Sequence, residues 1–396
     1  MGTGVTAPAG FRAAGVAAGI KPGGPDLALV VADIAGPAAG VFTSNLAMAA
    51  PVLVSREHLS RGRARAIVVN AGCANAGTGP AGLADARETA AIAGSALGCA
   101  PEEVVVASTG VIGVRLPMEK LRAGICSAVP SLSPEGGGAA AHAILTTDTR
   151  PKEVAVPFPV GGRTCTIGGT AKGAGMLAPD LATMLAFFTT DAAVPAPLLR
   201  EALVSAVGGS LNRITVDGDT STNDCAVILA SGAAGAPVVG RESPALAAFR
   251  SALAEAAGRL AEMLVRDGEG VTKVARVLVE GARSPEQADR IARTISESPL
   301  VKTALHGGDP NWGRILAAAG RAGVPVDVDR VSIWIGDVQV AEAGAARDYE
   351  AAAAAAAMRE DPVRLRVRLG EGSASGWLWT SDLSAGYVDI NSHYRS

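Results

Sequence analysis

Between Lys172 and Ala192 the chain reads KGAGMLAPDLATMLAFFTTDA. Two glycines and the Pro179-Asp180 pair mark a tight turn. Met184, Leu185, Phe187 and Phe188 then read as a strand, closed by Thr189-Thr190-Asp191. Ala182-Thr183 stands at the junction. A threonine at the mouth of a buried strand, just behind a tight turn, can attack the preceding peptide carbonyl and break the chain. The new terminus then carries a hydroxyl nucleophile together with a free α-amine, which titrates near pH ~7.7–8.0 and can take the hydroxyl proton. An internal threonine lacks that base, so cleavage there would be activation. Gly-rich turns before apolar strands are common, however, and a threonine that only packs fits this stretch equally well. The rest of the chain has to decide between the two.

At 396 residues the chain is long for one domain, and two are expected, with a boundary near the strand at 273–280. This gives residues 1–275 and 276–396. Hydrophobic residues make up 48% but aromatics only 3%, so the core is built from Ala, Val, Leu and Ile. Residues 26–34, 41–43, 50–54, 66–70, 104–107, 154–160 and 165–167 read as strands. Residues 82–97 and 197–207 have helical composition, and Pro117 opens a further helix. After Ser243-Pro244, an N-cap and N1 pair, Leu246, Phe249, Leu253, Ala256, Leu260 and Met263 recur at helical spacing. Ser284-Pro-Glu-Gln287 is a capping box. Residues 330–335 and 338–340 form a hairpin about Gly336-Asp337, 349–358 an alanine-rich helix, and 363–369 and 377–380 two more strands.

Several function classes are disfavoured. A net charge of −3 and few aromatic platforms do not suit nucleic-acid binding. The five cysteines, Cys73, Cys99, Cys126, Cys165 and Cys225, are scattered without a C-x-x-C pair, which fits reduced thiols in a cytoplasm. None of the four histidines lies at ligand spacing from another, so no metal is expected. No secretory signal and no apolar run of ~18 residues is present, so no membrane is expected either.

Four further stretches could carry chemistry. Residues 104–107 run into Ser108-Thr-Gly-Val-Ile-Gly113, where a Thr-Gly turn could offer a hydroxyl and backbone N–H groups to an oxyanion, or simply turn the chain. Thr146, Thr147 and Thr149 surround Asp148, a hydroxyl cluster that could bind a carboxylate or cap a helix. The acidic loop at 212–224 fails the calcium-loop pattern, because Thr222 and Ile228 stand where glycine and glutamate are needed. It reads as a loop whose side chains bond to backbone. Glu269, between Gly268 and Gly270, is either an amine-binding carboxylate or a solvated charge.

In order along the chain, the sequence resembles the ornithine acetyltransferase, or glutamate N-acetyltransferase, family of arginine biosynthesis. The match runs through Gly10-Phe-Arg12, Ala18-Gly-Ile-Lys21, Ala39-Gly-Val-Phe-Thr43, Ala107-Ser-Thr-Gly-Val-Ile-Gly113, Thr146-Thr-Asp-Thr149 and Ala171-Lys-Gly-Ala-Gly-Met176. It continues through Leu181-Ala-Thr-Met184, 216–224, Gly268-Glu-Gly270, Val301-Lys-Thr303, Asp309-Pro-Asn-Trp-Gly-Arg314 and Tyr387-Val-Asp-Ile-Asn391. The resemblance implies a layered α/β sandwich similar to N-terminal-nucleophile hydrolases, with a smaller C-terminal α/β domain. It implies autocleavage between Ala182 and Thr183 into two chains that stay associated, assembled as two alpha and two beta chains.

By the same resemblance Thr183 is the nucleophile, Thr109 and Gly110 form the oxyanion hole, and Thr146, Lys172, Thr183, Glu269, Asn391 and Ser396 contact substrate. The implied reaction moves an acetyl group from N2-acetylornithine to glutamate by a ping-pong route. It needs no cofactor, and acetyl-CoA stays open as a second acetyl donor. Lys172 suits a substrate α-carboxylate and Glu269 the ornithine side-chain amine. Cys73 and His306 depart from the family pattern, which has asparagine and an aromatic there. Two rivals stand beside this reading. One is a threonine amidase or aminopeptidase of the same architecture, in which water resolves the acyl-enzyme. The other is a non-catalytic binding protein for a small amino acid.

Overall fold

The computed structural model describes residues 2–178 and 184–393. The chain forms two compact units, one from Met1–Asn212 and Asp219–Leu264, the other from Arg213–Gly218 and Val265–Tyr394.

The strands of the first unit are β1 (Phe11–Val16), β2 (Leu27–Phe42), β3 (Arg63–Cys73), β4 (Val104–Val111), β5 (Lys152–Val160), β6 (Arg163–Lys172) and β7 (Leu185–Thr190). A two-residue β8 (Ile214–Thr215) belongs to the second unit, and β9 (Cys225–Ala230) returns to the first. They form one eight-stranded sheet in the order β4-β3-β2-β9-β7-β6-β5, with β1 also paired to β2. The long β2 serves two neighbours in turn. Its first half pairs with β3, and Ala38–Phe42 pair with β9.

Both faces of this sheet are buried, as the strand period of two makes visible. Leu27, Leu29, Val31, Ala66, Val68, Val104 and Val106 face the helices α1 (Ala50–Leu59), α2 (Gly79–Leu97) and α3 (Met118–Ala128). The alternate residues Ala28, Val30, Ile67, Val69, Val105, Leu185, Phe187 and Val227 cluster on the other face with α4 (Gly137–Ala143). Beyond α5 (Ala196–Gly209), the long α6 (Ala245–Arg266) sets Phe249 against Phe158 of β5 with ring centroids 5.8 Å apart.

Residues 50–54, expected as a strand, form the first turn of α1. Pro51 lies at the start, where its fixed φ favours a helix. Ala50, Val54 and His58, four residues apart, are all buried. The His58 ring pairs with the Val104 carbonyl at 2.8 Å. Five apolar residues cannot by themselves distinguish a strand from a helix turn.

The second unit adds β10 (Val274–Ala282), β11 (Ser332–Ile335), β12 (Val338–Glu342), β13 (Ala345–Ala346), β14 (Val363–Arg368) and β15 (Ala374–Ser381), ordered β13-β12-β11-β14-β10-β15-β8. Val277, Val279, Ile333, Ile335, Leu365 and Val367 pack under α7 (Pro285–Ser296), α8 (Pro299–Gly307) and α9 (Trp312–Gly320). Elsewhere on this sheet Arg276 stacks over Trp377 and Arg366 over Trp334, at 4.7 and 4.1 Å. The Ser284 hydroxyl accepts from the Gln287 N–H at 3.3 Å, but Gln287 Oε1 turns to the Arg283 N–H instead of closing the box. Helices α10 (Ala351–Ala357) and α11 (Ala385–His393) complete the unit. Among the described residues no helix is long and apolar enough to cross a membrane.

Candidate active site

The parallel strands β3 and β4 end side by side, with Gly72 in register with Gly110. Gly110 has φ 128°, and a side chain there would collide with the backbone of Gly72. Only glycine lets the two strand ends approach so closely. Below them, Ser108 Oγ donates to Asn70 Oδ1 at 2.6 Å, and Asn70 Nδ2 donates to the Cys73 carbonyl at 2.8 Å. Asn223 Nδ2 donates to the carbonyls of Ser108 and Ala74 at 2.9 and 2.7 Å. The loop at 212–224 thus does send a side chain to backbone. This polar floor fixes Thr109, itself buried, at the strand end.

Lys172, at the end of β6, is buried. Its Nζ donates to Thr146 Oγ1 at 2.8 Å and to Thr109 Oγ1 at 3.2 Å. Three sequence-predicted residues therefore meet at one ammonium, with Gly110 next in the chain. Asp148 anchors them. Its Oδ1 accepts from Lys152 Nζ and from the Gly173 N–H, both at 2.7 Å. Its Oδ2 accepts from the Thr146 N–H at 3.2 Å and lies 3.8 Å from Lys172 Nζ. The side chains of Asp148 and Lys152 are wholly buried. Burial pushes the Asp148 carboxyl up, but the Lys172 and Lys152 ammonium groups and the bonds from Lys152 and Gly173 outweigh it and hold it at about 2.

Lys21 lies close enough for Lys172 and Asp148 to act on its charge. Burial lowers its pKa, Asp26 opposes that, and Lys172 adds to the lowering. Its Nζ donates to the Leu145 carbonyl at 2.8 Å.

In the second unit, Asn391 Nδ2 donates to Glu269 Oε2 at 2.7 Å and to the Tyr387 carbonyl at 3.0 Å. Gly270 has φ 65°, and a side chain there would collide with the Tyr387 backbone nitrogen. Ser384 Oγ donates to the Gly270 carbonyl at 2.5 Å. Glu269, only 8% exposed, is a held carboxylate with an amide partner and not a solvated charge.

Ala182, Thr183 and Ser396 lie outside the described residues. The chain leaves β6 at Lys172 and is back beside it at Leu185, the register partner of Lys172. The Met184 N–H donates to Asp224 Oδ1 at 2.8 Å. Among the described residues no group of three or more His, Cys, Asp or Glu could hold a metal ion.

No local motif marks Lys152, and Asp148 stands in the sequence only as the centre of a threonine cluster. One signal was legible. Lys152 takes a place in the inward-facing set Lys152, Val154, Val156, Phe158 and Val160, and a lysine on that face requires a buried partner.

Comparison with known proteins points the same way. The ArgJ family model matches residues 12–396. The arginine biosynthesis bifunctional protein ArgJ of Symbiobacterium thermophilum is 50% identical over 396 residues, covering 99% of this chain and 98% of its own. That of Methylococcus capsulatus is 49% identical over 391 residues, covering 98% and 96%. The crystal structure of arginine biosynthesis bifunctional protein argJ from Bacillus halodurans aligns with a TM-score of 0.52 at 42% identity, covering 54% of this chain and 100% of that one.

Proposed function

Because this chain belongs to the ArgJ family, we infer that it is an acyltransferase of arginine biosynthesis that moves an acetyl group from N2-acetylornithine to glutamate. Thr183 is the proposed nucleophile, freed by cleavage after Ala182. Its Oγ attacks the acetyl carbonyl while its α-amine takes the hydroxyl proton. Thr109 and Gly110 stabilise the oxyanion. The C–N bond breaks, the leaving amine receives the proton, and ornithine departs from an acetyl ester on Thr183. The glutamate amine then attacks that ester. A new C–N bond forms, the ester C–O bond breaks, and Thr183 Oγ regains its proton. Lys172 and Thr146 hold the α-carboxylate. Glu269, oriented by Asn391, takes the ornithine side-chain amine, and Ser396 joins the substrate contacts. Acetyl-CoA would acylate the same threonine by the same route.

The observation that supports these roles best is the buried Lys172 ammonium shared by Thr109 and Thr146. It sets a cation, 3.8 Å from Asp148, beside the proposed oxyanion hole, where a substrate carboxylate can add to its partners. Intact mass under denaturing conditions is the test. Two fragments, one ending at Ala182 and one starting at Thr183, are expected, and Thr183→Ala should give one uncleaved, inactive chain. A full-length chain with undiminished transfer would end the mechanism. Release of acetate in place of N-acetylglutamate would instead identify an amidase.

A further inference from the structure

We propose that Lys21 reads the acceptor, its ammonium binding the side-chain carboxylate of glutamate. The inference rests on the transfer reading above and assigns a residue to its second half. Four observations carry it. The Lys21 backbone lies against the oxyanion loop, because a Cβ added at Gly72, the partner of Gly110, would stand 2.9 Å from Lys21 Cβ. The far end of its side chain reaches the Leu145 carbonyl, one residue before the Thr146 that holds Lys172. Lys21 therefore spans from the proposed oxyanion hole to the proposed α-carboxylate site. Its loop is pinned, with fully buried Asp26 accepting from the N–H groups of Ala18, Ile20 and Lys21 at 2.6, 2.5 and 3.0 Å. Finally, Nζ has one hydrogen-bond partner among the described residues, so two of its three N–H groups remain for a ligand.

The two substrates differ in their carboxylates, and Lys21 is an ammonium with spare donors beside the proposed site. N2-acetylornithine brings one carboxylate, which one lysine satisfies. Glutamate brings two, and its side-chain carboxylate needs a second cation. A half-buried ammonium with spare donors suits that second carboxylate.

The test separates the half-reactions in Lys21→Met. Ornithine release from N-acetylornithine alone should fall less than threefold. The KM for glutamate should rise roughly tenfold to a hundredfold, the loss expected for one charge-assisted hydrogen bond. The preference for glutamate over glutamine as acceptor should shrink by the same factor, and Lys21→Arg should restore most of it. Should Lys21→Met fail to fold, Lys21→Gln carries the same comparison. An unchanged glutamate KM, or equal losses with glutamate and glutamine, would overturn the proposal. A wild-type enzyme that releases no ornithine would instead refute the transfer reading, and the role of Lys21 with it.

Discussion

Burial by itself would hold the Asp148 carboxyl protonated well above the ordinary range, yet two buried ammonium groups keep it ionised down to about pH 2. The sign of the resulting stability term follows. The folded pKa, about 2, lies below the ordinary 3.8, so the contribution is complete above pH ~4 and is lost as pH falls toward 2. Its size is about 2 kcal/mol. Asp148→Asn should lose more than this at neutral pH, about 3–5 kcal/mol, because Lys152 is left charged and buried. Thermal melts at pH 6 and pH 3 check both points, and the variant should show less acid destabilisation than the parent. Equal acid slopes would mean Asp148 is not ionised in the fold. Thr109, Gly110, Thr146 and Lys172 were legible because their motifs are local. Asp148 was visible only as the centre of a threonine cluster, since of its four cationic or N–H partners only the Thr146 N–H is part of that cluster, and the others come from β5, β6 and the turn after β6.

At the scale of elements, strand-forming runs with a clear period were the legible part. Residues 363–369 alternate, and β14 does so in burial. Residues 50–54 lacked a period, and tertiary contact with β4 decided in favour of α1. Helix α8 had no sequence expectation, and it carries Lys302, a buried lysine of the Val301-Lys-Thr303 motif. Lys302 Nζ donates to the Ser381 carbonyl, to Ser381 Oγ at 3.1 Å and to Thr380 Oγ1 at 3.3 Å. Burial lowers its pKa to about 8, with Asp217 and Asp382 pulling the other way. Here the folded pKa lies below that of the unfolded chain, so the unfolded state binds the extra proton between pH ~8 and ~10.5. The parent should therefore gain stability from this group across that window, by at most about 3 kcal/mol. In Lys302→Met that alkaline gain should vanish. A melting profile from pH 7 to 10 with the same slope in both proteins would show that Lys302 keeps its charge.

Across the whole molecule, cleavage after Ala182 would assign β1 through β6 to one fragment and β7 and β9 to the other. The sheet order β4-β3-β2-β9-β7-β6-β5 places the second fragment's strands between two strands of the first. Ala38–Phe42 of β2 pair with β9 on one side, and Ile167–Lys172 of β6 pair with β7 on the other. Phe187 and Leu185 of β7 share a core cluster with Val30 and Ile67 of the first fragment. This interleaving was beyond the sequence, as was the passage of Arg213–Gly218 into the second unit through two residues of β8 beside Trp379 and Thr380. Both depend on pairings between distant segments, which no local pattern reports. The consequence is mechanical. Separating the fragments means breaking two strand ladders and opening a buried core, which is the same event as unfolding the first unit. The cleaved protein should therefore elute as one native species, and its fragments should part in urea only at the midpoint where the sheet melts. Fragments that exchange or separate below that midpoint would show that the cut lies elsewhere, between segments not woven through the sheet.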